Sequence, residues 1–471
     1  MLLSRAVRAS WSIAAVLLVA TLGRIARADN TAANEGAFQH LRALQDIASA
    51  SGGNRAAGTS GYDRSAEYVA ERLKEAGYVV RLEEFEFPFF EERAPPVLVT
   101  RTSGGAQTPA SADAVRTLVN SGSGDATGPL RSVNLRLDAE SPMASTSGCE
   151  TVDFQDFKPG SVALIRRGTC PFQTKVENAV AAGAIGVVIM NEGTDRRTDA
   201  FSGTLRQPAA IPVVGISYEH GHSLDIAGRT DGATVRLAVN AVTEKRRSRN
   251  VLADTPAGSD GSLIVVGAHL DSVLEGPGIN DNGSGAAAVL EAALRLVREP
   301  TRARGRVRFA FWGAEEQGLV GSRQHVDSLS EDDRRHIVLY INLDMVSSPN
   351  FVRFVQGSAA TDHAPVAIAR RELVADFRQH SLTVEEHAGG RYGSDDISFS
   401  EKGIPTVGLY TGASGLKSES QAGVFGGVAG RPYDPCYHRA CDTIDNVNRE
   451  VLEQNTRALL RALDALVSEI P

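Results

Sequence analysis

The sequence has little that points to a membrane protein or to the commoner enzyme motifs. Among 471 residues there are only 4 cysteines, 4 methionines and 2 tryptophans. Beyond residues 1–28 there is no uninterrupted apolar run of the roughly 20 residues that cross a bilayer. A glycine-rich phosphate loop and the Gly-x-Ser-x-Gly motif of serine hydrolases are also missing. The whole chain has 42% hydrophobic and 23% charged residues, a composition typical of a globular protein.

A surplus of basic residues is absent as well. The whole chain has 49 basic and 57 acidic residues. Residues 1–28 hold four arginines and no acidic residue, so the rest has 45 basic against 57 acidic residues, a formal charge of −12. This balance excludes nucleic acid as the expected partner, because phosphate backbones are bound by clustered lysine and arginine.

The first 28 residues have the three parts of a secretory signal peptide. Arg5 and Arg8 form a basic start, residues 11–22 form an apolar core, and residues 26–28 fit a cleavage site of small residues. The core is short for a membrane span, which makes an uncleaved anchor helix the weaker alternative. We therefore expect a secreted or periplasmic protein without a membrane segment after cleavage of residues 1–28.

The four cysteines are expected to form two disulfide bonds, because export places the chain in an oxidising compartment. Sequence proximity favours pairing of Cys149 with Cys170 and of Cys436 with Cys441. The alternative is that some of them remain as buried thiols.

The order of apolar patterns predicts an α/β fold with an insert. A stretch rich in Ser, Gly, Ala and Thr at residues 101–128 marks a boundary, and short strands with turns fill residues 115–244. Residues 29–114 and 245–471 form the other domain, in which strands alternate with helices, as in a mostly parallel sheet. The elements predicted there are strand 263–268, helix 285–297, strand 306–312, helix 319–328, strand 337–343, strand 351–355, helix 364–378, strand 405–409 and helix 448–469.

The first candidate metal ligand is a histidine at the end of a predicted strand. His269 follows an apolar run directly, and Asp271 lies two residues further on. A histidine there can be an ordinary buried residue. A nearby carboxylate favours the metal interpretation, because it can accept the second imidazole N–H and fix the tautomer.

A polar loop before the next predicted helix supplies another carboxylate. Asp281 lies in segment 280–285, where Asp and Ser ordinarily cap helices. Ser284 can cap the helix while Asp281 points into the crevice, so the two interpretations are compatible. Asn282 also begins a glycosylation sequon, which we discount because a glycan would fill the proposed site.

Two further strands end in carboxylates. Glu315 and Glu316 follow strand 306–312, and Asp344 follows strand 337–343. One glutamate of the pair can bind a metal ion while its neighbour handles protons. Residues at the C-terminal ends of parallel strands converge on one crevice, which favours a shared site over a solvated surface.

The last candidate segment lies between Cys436 and Cys441. A disulfide across it would hold Tyr437 and His438 rigidly, as suits an oxyanion donor and a metal ligand. A zinc knuckle is the alternative, but it needs further soft ligands, and the other cysteines lie far away. Two imidazoles and at least three carboxylates together suit two zinc ions bridged by one carboxylate.

At these residues the chain resembles the secreted M28 family of zinc aminopeptidases, over about residues 36–90 and 250–470. The matching motifs are Gly267-Ala268-His269-Leu270-Asp271-Ser272, Gly278-Ile279-Asn280-Asp281-Asn282-Gly283-Ser284-Gly285, Gly313-Ala314-Glu315-Glu316-Gln317-Gly318, Asn342-Leu343-Asp344-Met345 and Tyr437-His438. The resemblance implies the zinc exopeptidase fold, an α/β fold whose mostly parallel mixed sheet is flanked by helices, and two zinc ions per chain.

The resemblance also implies a role for each candidate. One zinc ion would take His269, Asp344 and the bridging Asp281, and the other would take Asp281, Glu316 and His438. Glu315 would be the general base that deprotonates the bridging water, and Tyr437 would donate to the oxyanion. Asp271 completes the predicted catalytic set.

The insert resembles a protease-associated (PA) domain, on the segments 167–172 and 182–188. In such families the PA domain is not catalytic and is thought to shape substrate access. The chain departs from many relatives at Ser394-Asp395-Asp396, where they read Ser-Asp-His or Ser-Asp-Tyr. Arg391 nearby is predicted to hold the substrate terminus; the alternative is a solvated loop residue.

The predicted function is therefore a secreted, monomeric aminopeptidase that removes N-terminal, apolar residues from peptides. A carboxypeptidase of the glutamate carboxypeptidase type is one alternative, and it would need arginines that grip a substrate carboxylate. A glutaminyl cyclase-like transferase with one zinc ion is another. A receptor with an inactive site is the third, and the presence of all five ligand positions and Glu315 argues against it.

Overall fold

The computed structural model describes residues 36–137, 145–194, 197–230, 232–255, 261–298, 306–357, 363–388 and 393–470. The chain divides into two compact units, and we call the one formed by residues up to Phe85 and from Arg247 onward the first unit. The second unit is Glu86–Arg246. The predicted signal peptide lies outside the described residues. None of the described helices has the length and apolar character needed to cross a membrane.

The second unit begins earlier than residue 115, where the change in composition led us to place the insert. Strand β1 runs without interruption from Val79 to Arg101 and so crosses this division of the chain, which no turn or loop marks in the sequence. The Ser- and Gly-rich stretch therefore lies within the second unit. The far boundary, at Arg246, lies close to the expected residue 244.

The strands, in chain order, are β1 Val79–Arg101, β2 Gln107–Pro109, β3 Val115–Thr117, β4 Gly124–Ser132, β5 Val162–Arg166, β6 Gly186–Met190, β7 Val213–Ile216, β8 Thr234–Asp254, β9 Leu263–His269, β10 Arg306–Trp312, β11 Ile337–Leu343, β12 Phe354–Gly357, β13 Glu385–Ala388 and β14 Thr406–Tyr410.

The α-helices are α1 Gly36–Ser49, α2 Ser60–Glu75, α3 Phe172–Ala181, α4 Tyr218–Thr230, α5 Gly285–Arg298, α6 Val320–Ser328, α7 Glu331–His336, α8 Ala364–Gln379, α9 Asp396–Ser400, α10 Glu419–Phe425 and α11 Arg449–Glu469.

The sheet of the first unit confirms the predicted mixed architecture. Its strand order is β13-β12-β14-β11-β9-β10-β8. Strands β14, β11, β9 and β10 are parallel to one another, whereas β8 and β12 pair antiparallel with their neighbours. Because four adjacent strands share a direction, their C-terminal ends lie at the same edge, where clefts form in such sheets.

Both faces of this sheet are buried, which explains why its strands read as nearly continuous apolar runs. Ile264 and Val266 pack with helices α1, α2, α5, α8 and α11 in the main hydrophobic core. The alternate residues Leu263 and Val265 face a second cluster around Trp312. The strands are thereby fixed in register from both sides, and so are the residues at their ends.

The cluster around Trp312 supports the strand ends that lead to the candidate site. The Trp312 indole N–H donates to the Tyr340 hydroxyl at 2.9 Å, and Tyr340 stacks on Phe399 with ring centroids 3.8 Å apart. Trp312 is fully buried. Truncation of such an aromatic residue ordinarily costs about 3–5 kcal/mol.

The second unit has its own sheet and core. Strands β4, β5, β6 and β7 are mutually parallel, with β3 and β8 antiparallel at the two ends. The predicted disulfide Cys149–Cys170 is formed here. Helix α4 was not predicted, because its apolar residues show only weak helical periodicity and it contains Gly221 and Gly228.

Candidate metal centre

Five predicted ligands meet at the C-terminal edge of the parallel strands. His269 is the last residue of β9, Asp344 directly follows β11, and Glu316 follows β10 after a short turn. Asp281 lies in the irregular turn Ile279–Ser284 and His438 in the C-terminal loop. Their ligand atoms form groups within 4.8 Å of one another: His269, Asp281 and Asp344 in one, Asp281, Glu316 and His438 in another, and His269, Glu315 and Glu316 in a third.

Asp281 lies between two of these ligand groups. Its Oδ1 is 3.4 Å from Nε2 of His269, and its Oδ2 is 3.2 Å from Nε2 of His438. The His269 Nε2 is also 3.5 Å from Oδ1 of Asp344, and the His438 Nε2 is 3.1 Å from Oε2 of Glu316. Each oxygen of one carboxylate thus faces a separate imidazole–carboxylate pair, which is the arrangement of a ligand bridging two cations.

The donor atoms fit divalent metal ions. Within the five-ligand set, three buried carboxylate oxygens accept no hydrogen bond from the described residues, namely Oδ2 of Asp281, Oε1 of Glu316 and Oδ1 of Asp344. Buried charged oxygens are costly unless they are paired or coordinate a metal. A mixed set of imidazole and carboxylate groups is the donor set that zinc prefers.

The protonation equilibria also reflect a cluster rich in negative charge. Burial alone would lower the pKa of His269, but the charges of Glu315 and Asp344 and its contact with Asp281 raise that pKa well above its usual value. Burial and the nearby Asp281 raise the pKa of Glu316. His269 and Glu316 therefore hold protons more tightly than usual. Metal binding would release these protons, because metal ligands must be deprotonated.

Glu315 lies beside the ligands without joining the bridged pair. Its Oε2 is 3.8 Å from Nε2 of His269, and its side chain is only 12% exposed. Burial and the charges of Glu316, Asp395 and Asp344 raise its pKa well above the usual range. A carboxylate with a raised proton affinity at such a position suits a general base.

Asp271 holds the turn that carries both glutamates. It is fully buried, and its two oxygens accept the backbone N–H groups of Glu315 at 3.1 Å and Glu316 at 3.3 Å. The sequence interpretation was different, since it paired this carboxylate with the second nitrogen of His269. The His269 Nδ1 instead lies nearest the backbone carbonyl of Asp271, at 3.2 Å, and 3.8 Å from the carboxylate, which is turned toward the two amides.

The turn that carries Asp281 is fixed by Asn282 rather than by the expected Ser284 cap. The Asn282 side-chain oxygen accepts the N–H groups of Gly285 at 2.9 Å and Met345 at 3.2 Å. The Ser284 hydroxyl donates to the carbonyl of Asn280 instead. Asn282 is fully buried, which supports our discounting its glycosylation sequon.

The C-terminal loop is closed by the predicted disulfide Cys436–Cys441. Within it the rings of Tyr437 and His438 stack with centroids 3.9 Å apart. Burial, together with the charges of Asp281 and the other site carboxylates, raises the pKa of Tyr437. The hydroxyl therefore stays protonated at neutral pH and can donate a hydrogen bond.

Two aspartates that flank this loop were missed by the sequence analysis. Asp442 accepts the backbone N–H of Asn280 at 2.9 Å and that of Asp281 at 3.0 Å. Asp434 accepts the side-chain amide of Asn280 at 2.7 Å. They join the disulfide loop to the Asp281 turn, and their positions beside Cys436 and Cys441 were the available signal.

The segment near the predicted substrate-binding arginine is described in part. Arg391 itself lies outside the described residues. Ser394 accepts a hydrogen bond from the Asn342 side chain at 3.0 Å. Asp395 is fully buried, and burial, partly opposed by His269, raises its pKa to about 7. It is thus electrostatically part of the site, a role that the sequence analysis did not assign to it.

Comparison with known proteins places these features in a family context. The profile of peptidase family M28 matches residues 250–463, and the PA-domain profile matches residues 126–224. An aminopeptidase of Pseudomonas aeruginosa is 41% identical over 429 residues, which are 89% of this chain and 78% of that protein. A probable lipoprotein aminopeptidase of Mycobacterium tuberculosis, LpqL, is 37% identical over 94% of this chain and 86% of its own.

Solved structures give the same picture. An aminopeptidase from Aneurinibacillus sp. strain AM-1 superposes with a TM-score of 0.69 at 26% identity, covering 91% of this chain and 93% of its own. BSAP, described as a zinc aminopeptidase from Bacillus subtilis, has a TM-score of 0.62 at 26% identity, covering 91% and 94%.

Proposed function

Because this chain belongs to peptidase family M28, we propose that its five-ligand cluster binds two zinc ions and releases apolar N-terminal residues from peptides. The family and the relatives identify the chain as a zinc aminopeptidase, a hydrolase of peptides. The observation that carries the two-ion proposal is Asp281, whose two oxygens face two different histidines.

In this proposal the ligand roles follow the contacts in the cluster. His269 and Asp344 would hold one ion, Glu316 and His438 would hold the other, and Asp281 would be a ligand of both. Zinc, when bound, polarises the scissile carbonyl and lowers the pKa of water to about 7.

The other residues handle protons and charge. Glu315 takes a proton from the attacking water on its carboxylate and delivers it to the leaving amine nitrogen. The Tyr437 hydroxyl, still protonated at neutral pH, donates to the oxygen that becomes negative when the carbonyl is attacked. Asp271 keeps Glu315 and Glu316 in place through their backbone amides. Arg391 remains a proposed contact for the substrate.

The preference for N-termini rests on charge and on the relatives. A site lined by buried carboxylates favours a protonated α-amine over a C-terminal carboxylate, which disfavours the carboxypeptidase alternative. The apolar preference is supported by a relative from Trichophyton equinum that is named leucine aminopeptidase 2 and is 33% identical. Secretion is supported by the signal-peptide pattern and by two disulfides, and the monomeric state is part of the proposal.

We expect purified protein to contain two zinc ions per chain and to hydrolyse leucyl, phenylalanyl or methionyl p-nitroanilides faster than glutamyl or lysyl ones. Chelation should abolish the activity and zinc should restore it. N-acetyl-leucyl p-nitroanilide is the matched control and should not be cleaved, because its amine is blocked. Cleavage of the blocked substrate, or one ion per active chain, would contradict the proposal.

The two disulfides offer a second test, since only one of them encloses site residues. Replacing Cys436 and Cys441 together by serine should lower kcat/KM by about 10–100-fold, because Tyr437 and His438 lose their fixed placement. The matched control replaces Cys149 and Cys170, in the second unit, and should leave kcat/KM within about twofold, the scatter usual for a remote change. Equal losses in the two double variants would show that the loop bond has no specific role.

A further inference from the structure

A buried arginine outside all the motifs above contacts the segment that lies between two of the ligands. Arg55 lies between α1 and α2, and its side chain is fully buried. Its Nε donates to the carbonyl of Pro277 at 2.9 Å, and its Nη2 donates to that of Gly278 at 2.5 Å. Its Nη1 donates to the carbonyl of Leu270. One guanidinium thus binds both ends of the segment 270–278.

The ends of this segment adjoin ligands. Leu270 directly follows His269, and Gly278 lies three residues before Asp281. In the proposed centre these two ligands share one zinc ion. Any change in the span of the segment would therefore change their spacing, and the Arg55 guanidinium bridges the two ends of this span.

The backbone of the same residue is tied to the same segment. The N–H of Arg55 donates to the Ser272 hydroxyl at 2.9 Å, and the N–H of Ser272 donates to the carbonyl of Arg55 at 3.3 Å. Asp442 contacts the chain just beyond, through the amides described above. The guanidinium of Arg55 thus binds carbonyls of the segment, and the carboxylate of Asp442 binds backbone N–H groups that follow it.

The charge of Arg55 is retained despite its burial. Burial lowers its pKa to about 10, opposed by the charges of Asp271, Asp442 and Asp281. A guanidinium that bonds to carbonyls while three carboxylates lie nearby is a fixed positive charge behind the site. An apolar side chain would fill the same space without the desolvation free energy of a buried charge, so packing alone does not account for an arginine here.

We propose that Arg55 is a positioning residue of the metal centre, which sets the spacing of His269 and Asp281 before zinc binds. This inference rests on the proposed two-zinc function. It assigns Arg55 an effect on zinc affinity in the folded protein, beyond any contribution to folding.

The test compares Arg55→Met, Arg55→Lys and the control Arg64→Met in the full-length secreted protein. Arg64 is exposed and donates to the backbone carbonyl of Ala50, so its removal matches the change in charge without touching the segment. Zinc affinity is measured by competition with a chromogenic chelator, and Co²⁺-loaded protein is examined by visible absorption. Near-UV circular dichroism of the metal-free proteins establishes that each variant is folded.

We expect Arg55→Met to weaken at least one zinc-binding step by about 10–100-fold, the usual effect of losing an outer partner of a ligand. The Co²⁺ spectrum should shift as well. Arg55→Lys should fall between Arg55→Met and wild type, because an ammonium keeps the charge but cannot span three carbonyls. Arg64→Met should match wild type.

Unchanged zinc affinity in folded Arg55→Met would overturn the inference, even if its melting temperature fell. If Arg55→Met does not fold, the test rests on Arg55→Lys. A zinc affinity and a Co²⁺ spectrum equal to those of wild type in Arg55→Lys would then overturn the inference. Failure of the proposed function is a separate outcome, because it would appear as fewer than two zinc ions in the wild-type protein.

Discussion

Replacing Glu315 by glutamine should lower kcat by about a thousandfold or more while both zinc ions stay bound. General acid–base groups contribute about 10²–10⁴-fold, and Glu315 would act twice, on the attacking water and on the leaving amine. Glutamine keeps the size of the side chain and cannot take up a proton. Because Asp271 holds residue 315 through its backbone N–H, the substitution leaves the turn in place.

The measurement is steady-state kinetics on leucyl p-nitroanilide together with the zinc content of the same sample. Glu316→Gln is the matched control, since it makes the same chemical change one residue along. Glu316 Oε2 lies 3.1 Å from Nε2 of His438, so that variant should lose zinc as well as activity. Substantial turnover by zinc-loaded Glu315→Gln would remove Glu315 from its assigned role.

Replacing Asp281 by alanine should have the broadest effect on the metal centre. Both ions would lose a carboxylate ligand at once, and each affinity should fall by more than the roughly 10–100-fold typical of an outer partner. His269 and His438 would also lose the negative charge that raises the pKa of each. We expect kcat/KM to fall about ten-thousandfold or more, since the metal-dependent chemistry would be lost.

His438→Ala provides the comparison for this second substitution. His438 contacts Asp281 and Glu316 at 3.2 and 3.1 Å, so its removal should release one ion and leave the other. Zinc stoichiometry after dialysis should then be two for wild type, one for His438→Ala and none for Asp281→Ala. Equal stoichiometry in the two variants would contradict the bridging assignment.

Much of the fold could be predicted because its strands and helices are long and regularly patterned. Strand β11, for example, was predicted at the residues where it lies, 337–343, since both of its faces are buried. Strand β12 was placed three residues early, because it is short and lies near the end of the sheet. The antiparallel pairing of β12 with β14 could not be predicted, because pairing depends on contacts distant in sequence.

The ligands could be predicted because each follows a strand or a glycine turn, and topology then brings them together. The residues that support them were harder to find. Arg55 lies in an unpatterned loop more than 200 residues from the carbonyls it binds. In the sequence Asp442 cannot be distinguished from other aspartates in loops, because its contacts with the backbone amides of Asn280 and Asp281 are distant in sequence. The orientation of Asp271 likewise depends on a turn 44 residues away.

The chain leaves the first unit after Phe85 and returns to it at Arg247, and every predicted ligand lies on one side of that excursion. All five predicted ligands therefore come from the part of the chain that follows the insert. A change in the length of the insert would leave the sequence spacing among these ligands unchanged. An engineer could likewise replace it with a tight hairpin to obtain a smaller protease, or with a foreign module to direct the same chemistry toward a chosen target.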